Sequence, residues 1–457
     1  MLRTAAGGLW QAVPWLALSG ALACSAGHST GFASNADTLG GDAGGADDAG
    51  ARGPCSGLAC QTVSCPDGTH TQLSGVVYSP ATQNADPIYN AFVYVPNGPV
   101  DPFPPGVSCD ACGAVTSGSP IVTAITGSDG RFVLSDVPVG NNIPIVIQIG
   151  RWRKQLVMPE VAPCTDNKVP AGLTHLPANQ KAGDIPHIAI ATGALDPLEC
   201  VLVKMGIEQS EFTTPDQGGR IHVYRSNGSI LSDPTPPASA LWSNLDTLKQ
   251  YDIVLLPCEG EPLYKPVQAT QNVIDYTSAG GRVFTTHYGY VWIQGAQQPF
   301  ASTANWTPDD PANMPTPLVV DINASFPKGA ALADWLYRLG ATPTMGQLSI
   351  DDARRDAPGT NAAGTPWLTS SAPNASVQEY TFNTPVGTAP AQQCGRVSYS
   401  DFHVNIDGLT TSDSITFPGE CEGETNTLTP QEKVIEFMLF DLASCVQDET
   451  KAPTAPK

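Results

Sequence analysis

The sequence predicts a mixed protein of two folded parts, an all-β sandwich followed by an α/β domain built on a parallel sheet. Three observations predict it. The chain has 457 residues, too long for one ordinary core. From residue 71 to about 157 it reads as short apolar runs rich in Val, Ile, Tyr and Phe, each ended by Gly, Pro, Asn or Asp. From residue 184 onward, continuous apolar strands alternate with amphipathic helices, the pattern of a parallel sheet covered on both faces.

Taken in chain order, residues 1–23 are expected to be a secretory signal. Arg3 precedes the apolar run "LWQAVPWLALSGALA", which is too short and too interrupted to remain as a membrane span. At Cys24 "ALAC" admits two outcomes. Ala21, Leu22 and Ala23 form an Ala-x-Ala cleavage site, and small residues before a cysteine also resemble the lipobox of bacterial lipoproteins. Residues 24–54 are mostly Ser, Gly, Ala and Asp, the composition of a flexible tether. That tether favours a lipid on Cys24. The expected location is therefore the cell envelope, at the outer membrane or cell surface through an N-terminal lipid anchor, with periplasmic or free secretion as the alternative.

The net charge is −21, and no basic run is longer than "RWRK" at 151–154, which excludes nucleic acid and anionic headgroups as expected partners. Export permits disulfides. Cys55, Cys60, Cys65, Cys109, Cys112 and Cys164 lie in the first half, and Cys200, Cys258, Cys394, Cys421 and Cys445 in the second. By parity the first group is expected to close three bridges, in any of fifteen connectivities, and the second two with one thiol left, unless a bridge crosses between the halves. "CDAC" (109–112) resembles a redox or zinc pair, but with so many exported cysteines nearby it is read as disulfide-bonded.

Residues 55–164 form the expected sandwich, 165–183 a polar linker, 184–446 the α/β domain and 447–457 a tail. In the sandwich, "TGSDGRFVLSDVPVG" (126–140) puts turn residues at Asp129 and Gly130 and sends Phe132 and Leu134 to one face. The stretch resembles the hairpin of carboxypeptidase regulatory-like domains, which implies a transthyretin-like sandwich acting as a spacer or binding module. Asp129 is read as a turn residue rather than a calcium ligand.

The α/β domain is expected to be flavodoxin-like. Its last helix is signposted by "TPQE", with Thr429 as N-cap, Pro430 first in the helix and Glu432 closing a capping box before "VIEFMLFDL". Three strand ends carry polar chemistry: "PCEGE" (257–261), "TTHYG" (285–289) and "YSDFHVN" (399–405). In such sheets, sites form at the carboxyl ends of strands where the strand order reverses. The arrangement resembles the class I glutamine amidotransferase-like superfamily, whose nucleophile turn reads G-x-C-x-G and whose late strand ends in H-x-E. On that pattern His287 stands at the nucleophile position, with Gly289 matching its second glycine and Thr285 replacing the first. His403 stands at the catalytic histidine and Asn405 at the glutamate. Imidazole forms no acyl-thioester and Asn cannot stabilise an imidazolium, so glutamine hydrolysis is not expected. "GGRVFTTH" (280–287) and "GRVSYSDFHV" (395–404) resemble the trehalose-utilisation, ThuA-like branch more closely. Residues from about 295 to 386 have no counterpart in that pattern.

The candidate site residues follow. His287, His403, Asp401 and Glu259 supply two imidazoles and two carboxylates, a set suited to a divalent metal or to acid/base work, with vestigial histidines as the alternative. No other cofactor is evident. Tyr288, Tyr290 and Trp292 could hold a sugar face or simply pack. Glu261 is read equally as a base or ligand or as solvated loop, and Cys258, which looks like an attacking thiol at a strand end, as the partner of Cys200 or another cysteine. The leading function is a noncatalytic envelope protein whose α/β cleft binds a small ligand such as a carbohydrate or envelope polymer. The competing one is a sugar-processing or metal-assisted hydrolytic enzyme.

Overall fold

The β-rich runs of the first half form seven strands in two small sheets. A computed structural model describes residues 55–455, apart from 111, 113–115, 233, 311–313, 405–411 and 422–426. The expected signal and tether, with Cys24, and Asn405 lie outside the described residues. The strands are β1 (Gln72–Val76), β2 (Phe92–Pro96), β3 (Pro120–Ile125), β4 (Arg131–Ser135), β5 (Gly140–Ile149), β6 (Trp152–Val161) and β7 (Asp166–Lys168). They pair in the orders β4-β1-β7 and β3-β2-β5-β6. On β4 the two-residue period holds: Phe132 and Leu134 are buried and Val133 between them is 52% exposed. Gly130 has φ +68, and a Cβ there would meet Pro87 at 2.7 Å, so this turn needs glycine. β7 lies in the stretch expected to link the domains; its parallel pairing with β1 keeps that stretch in the first sheet as far as Lys168.

The second half is organised by one ten-stranded mixed sheet. Its strands are β8 (Ile188–Ala191), β9 (Phe212–Thr213), β10 (Ile221–Tyr224), β11 (Ile253–Leu256), β12 (Arg282–Thr286), β14 (Leu318–Ile322), β15 (Gln347–Ile350), β17 (Thr365–Ser370), β18 (Ser376–Thr384) and β19 (Gly395–Ser400). A separate short ladder pairs β13 (Ala304–Asn305) with β16 (Gly359–Thr360). The order is β15-β14-β17-β18-β19-β12-β11-β8-β10-β9. From β19 to β9 every neighbouring pair is parallel. The stretch with no counterpart in the sequence pattern supplies β14, β15, β17 and β18, an antiparallel extension of the same sheet.

The helices are α1 (Leu198–Lys204), α2 (Ser239–Trp242), α3 (Leu245–Leu248), α4 (Val267–Ser278), α5 (Pro327–Arg338) and α6 (Pro430–Ala443). None is long and apolar enough to cross a membrane among the described residues. α6 begins as its sequence dictates: Thr429 and Glu432 complete a capping box, with Pro430 in the first turn. Its "VIEFMLFDL" run is apolar on most faces, which fits a helix enclosed on all sides. The Phe440 ring lies 5.2 Å from Trp152 of the small sheets, and Phe437 lies 5.5 Å from Trp335 of α5. One buried apolar cluster consequently runs from Val93 and Ile145 through Ile188 to Val434 and Phe437.

The cysteines depart from the parity expectation. Cys55–Cys60 and Cys65–Cys164 close within the first half, but Cys109 bonds Cys394 and Cys112 bonds Cys445. The first half therefore closes two internal bridges instead of three, and "CDAC" staples the two halves through a separate partner for each thiol. Cys200 bonds Cys421, and Cys258 is free and buried. One thiol is left over, as counted, but it is the one expected to be bridged. The 447–457 tail is also held: Glu449 pairs with Arg396 and Lys328, which also bind Asp441 of α6.

Candidate functional site

The chain turns back at β8, whose neighbours β10 and β11 lie on opposite sides, so the strand order reverses there. Four adjacent strands deliver polar groups to this carboxyl edge: Asp196 after β8, Cys258 after β11, His287 after β12 and His403 after β19. The parallel registers of β11 with β12 and of β12 with β19 set their ends side by side.

His287 occupies a strained turn. Its φ is +36, and it opens a short 3-10 segment (His287–Trp292) immediately after β12. Gly289 follows from that geometry, because a Cβ there would fall 1.9 Å from Thr285 Oγ1. The imidazole is buried at 4% exposure. Its Nδ1 stands 3.4 Å from Cys258 Sγ, and its Nε2 stands 3.4 Å from the Asp356 carboxylate. The His403 ring meets it edge-on, with centroids 4.5 Å apart. His403 turns Nδ1 toward Asp196 Oδ1 at 3.2 Å, and Asp196 also accepts from the Val404 amide and from Thr286 Oγ1. Thr286 Oγ1 in turn accepts the Cys258 amide at 2.9 Å. The ligand-capable atoms of Cys258, His287 and His403 all lie within 4.8 Å of one another.

The electrostatics follow from burial. Loss of water, with His403 and Arg354 nearby, pushes the His287 imidazole well below its usual range, so the ring is neutral. Burial, reinforced by the negative charge of Asp196, pushes the Cys258 thiol up, so without a cation it stays protonated. The neutral His287 imidazole and His403 beside a thiol that only a cation can ionise are a soft ligand set.

The other expected residues take different places. Asp401 lies one layer beneath the turn: its carboxyl accepts from the Ala357 amide at 3.1 Å and from Tyr399 OH at 2.9 Å, and that hydroxyl also stands 3.0 Å from the His287 carbonyl. Burial and the neighbouring Asp356 raise the Asp401 pKa well above the usual carboxyl range, while burial moves Asp356 up to about 6. Glu259 is not brought to either histidine, since its oxygens are taken by Ser226 and Lys265. Tyr290 and Trp292 are core residues at 0% and 3% exposure, with no face open to a sugar. Tyr288 is half-buried, its ring 3.9 Å from that of His287.

Sequence reasoning missed Cys258, Asp196 and Asp356 as members of the site. Asp196 carried a usable signal, as a polar residue just beyond the apolar strand "IAIA". Asp356 carried none, because it lies in the stretch without a recognisable pattern.

No protein-family model matches the chain, and no curated protein matches it. Solved structures similar to it include a cytoplasmic protein from Salmonella typhimurium, 10% identical, covering 58% of this chain and 100% of that one at a TM-score of 0.30. A putative ThuA-like protein from Bacteroides uniformis is 10% identical and covers 55% of this chain and 90% of its own at 0.26. The IFT52 N-terminal domain is 8% identical, covering 49% and 85% at 0.28. At these scores the likenesses carry no argument about what this chain does.

Proposed function

We propose that this chain is an exported envelope protein, tethered by a lipid on Cys24, in which a transthyretin-like sandwich carries an amidotransferase-like, ThuA-like domain that binds a thiophilic divalent metal instead of hydrolysing glutamine. The observation that carries the reading is the convergence of Cys258, His287 and His403, with a carboxylate behind each histidine. Zinc bonds of about 2.3 Å to sulfur and 2.0 Å to nitrogen in a tetrahedron place the two ligand atoms about 3.5 Å apart. The observed 3.4 Å between Cys258 Sγ and His287 Nδ1 fits that spacing. Asp356 and Asp196 occupy the far nitrogens, as carboxylates that orient metal-bound histidines do. His403 Nε2 is then the nitrogen left to bind.

A metal here ties together strand ends that otherwise bury a neutral thiol and two imidazole rings. Three protein ligands leave one position of a four-coordinate ion for water or a small ligand, which keeps metal-assisted hydrolysis as the second reading. Elemental analysis of the purified mature protein tests the proposal. Stoichiometric zinc is expected, lost in Cys258→Ser and in His287→Ala, and cobalt reconstitution should give a thiolate-to-metal charge-transfer band that Cys258→Ser abolishes. Protein that is metal-free and takes up neither ion would overturn it. Turnover of simple esters or amides dependent on the bound ion would select the hydrolytic reading.

A further inference from the structure

The opposite edge of the parallel sheet holds a second, separate cleft. β8, β10 and β11 begin there, and the residues just before them, His187, Arg220 and Asp252, form its floor. The proline-rich arm 102–106, which lies between β2 and β3, folds over this floor and encloses about 770 Å³. That volume suits a small molecule, and junctions between folded units are where such sites occur.

The arm is fixed rather than loose. Arg151 donates to the Pro104 carbonyl at 2.7 Å and to Ser108 Oγ at 2.8 Å, and it pairs with Asp252 at 3.1 Å. The Arg153 guanidinium lies 4.0 Å over the Phe103 ring and pairs with Asp184 at 2.8 Å. These contacts match the two buried arginines with Asp252 and Asp184. Arg220 is different. It is half-buried, and its side chain makes one hydrogen bond, from Nε to the Ile185 carbonyl at 3.1 Å. The terminal nitrogens of its guanidinium have no acceptor among the described residues, although a fixed fork of donors is suited to a bidentate anion. Lys249 lines the same cleft, and Asp246 is the remaining unpaired acid in the lining. The lining sets Arg151, Arg220 and Lys249 against Asp184, Asp246 and Asp252, so on a chain whose total is −21 this cleft is close to neutral, and Arg220 and Lys249 are its cations without a carboxylate in direct contact.

We propose that this cleft binds a small carboxylated molecule, its carboxylate on the free end of Arg220 with Lys249 nearby and its carbon body against residues 102–105. The class covers sugar acids and simple aromatic acids, and the arms of the test separate them. Titration calorimetry on the intact exported chain uses glucuronate, benzoate, glucose and inorganic phosphate as probes. At least one carboxylate is expected to bind, with affinity falling as salt rises. Glucose alone should not bind. Arg220→Gln should weaken that carboxylate about tenfold or more, the loss of a charge-assisted pair worth about 1.4 kcal/mol. Lys249→Gln, on a partly exposed side chain, should weaken it several-fold and provides the test if Arg220→Gln fails to fold. Failure of both carboxylates to bind, preference for phosphate over both, or unchanged affinity in the variants would overturn the proposal. Since the metal ligands lie at the other end of the strands, the outcome is independent of metal content.

Discussion

A thiol at a strand end can attack, bridge or bind, and its surroundings decide which. Cys258 has no sulfur partner, and its Sγ faces His287 Nδ1 at 3.4 Å. Burial disfavours its thiolate, so attack is unsuited to it and coordination is not. The same desolvation acts on Glu379 of β18, which is fully buried, receives hydrogen bonds from Ser398 and Ser400, and titrates near 8. A glutamate in the unfolded chain ionises at 4.5. Between those two pH values the unfolded chain loses a proton that the native chain keeps, so this residue makes stability fall as pH rises from 4.5 toward 8. Glu379→Gln keeps the hydrogen-bonding shape and removes the titration. Urea unfolding at a series of pH values should find the variant more stable than the parent at neutral pH, by on the order of a few kcal/mol. The two should converge below pH 4.5. Parallel pH profiles for the two proteins would show that Glu379 does not titrate as proposed.

At the scale of elements, caps and strand ends were the most legible features. "TPQE" carried its own geometry, and Thr429→Ala should cost about 1 kcal/mol by removing a cap whose partner amide is otherwise orphaned. Chemical denaturation of the intact protein measures this, and an unchanged midpoint would mean that burial of α6 alone defines its start. His287 and His403 could be placed together because both follow strands of one parallel sheet. Cys258 follows a third strand end of the same set, 29 positions before His287, but reads in an exported chain as a bridged cysteine. Its proximity is made by the Leu256–Thr285 register, which local pattern does not reveal. Tyr290 and Trp292 show the converse: aromatic spacing after a strand reads the same for a sugar platform and for a core, and the neighbouring Phe300, Trp306 and Tyr380 that make it a core come from the unpatterned stretch. The four antiparallel strands of that stretch were likewise invisible as an extension of the sheet, because each takes its partner from distant sequence.

At the scale of the whole molecule, the two halves share one buried cluster centred on α6 and are closed by Cys109–Cys394 and Cys112–Cys445. Counting sulfurs by region failed because the regions were not independent units. The first of these bridges spans 285 residues, for which chain-entropy reasoning gives about 5.6 kcal/mol. The second adds less, since after the first it closes only the segments 109–112 and 394–445. The double change Cys109→Ala with Cys394→Ala should therefore destabilise the protein by a few kcal/mol in urea unfolding, and an equal midpoint would discount the staple. Connectivity also imposes a timetable. On the export proposed above, the chain presents Cys109 and Cys112 hundreds of residues before Cys394 and Cys445 emerge. During that interval the nearest oxidation available to the pair is with each other, across two intervening residues. The native bridges then require a later exchange of partners, so maturation should depend on a disulfide isomerase as well as an oxidase, and chains arrested before Cys394 should accumulate the local pair.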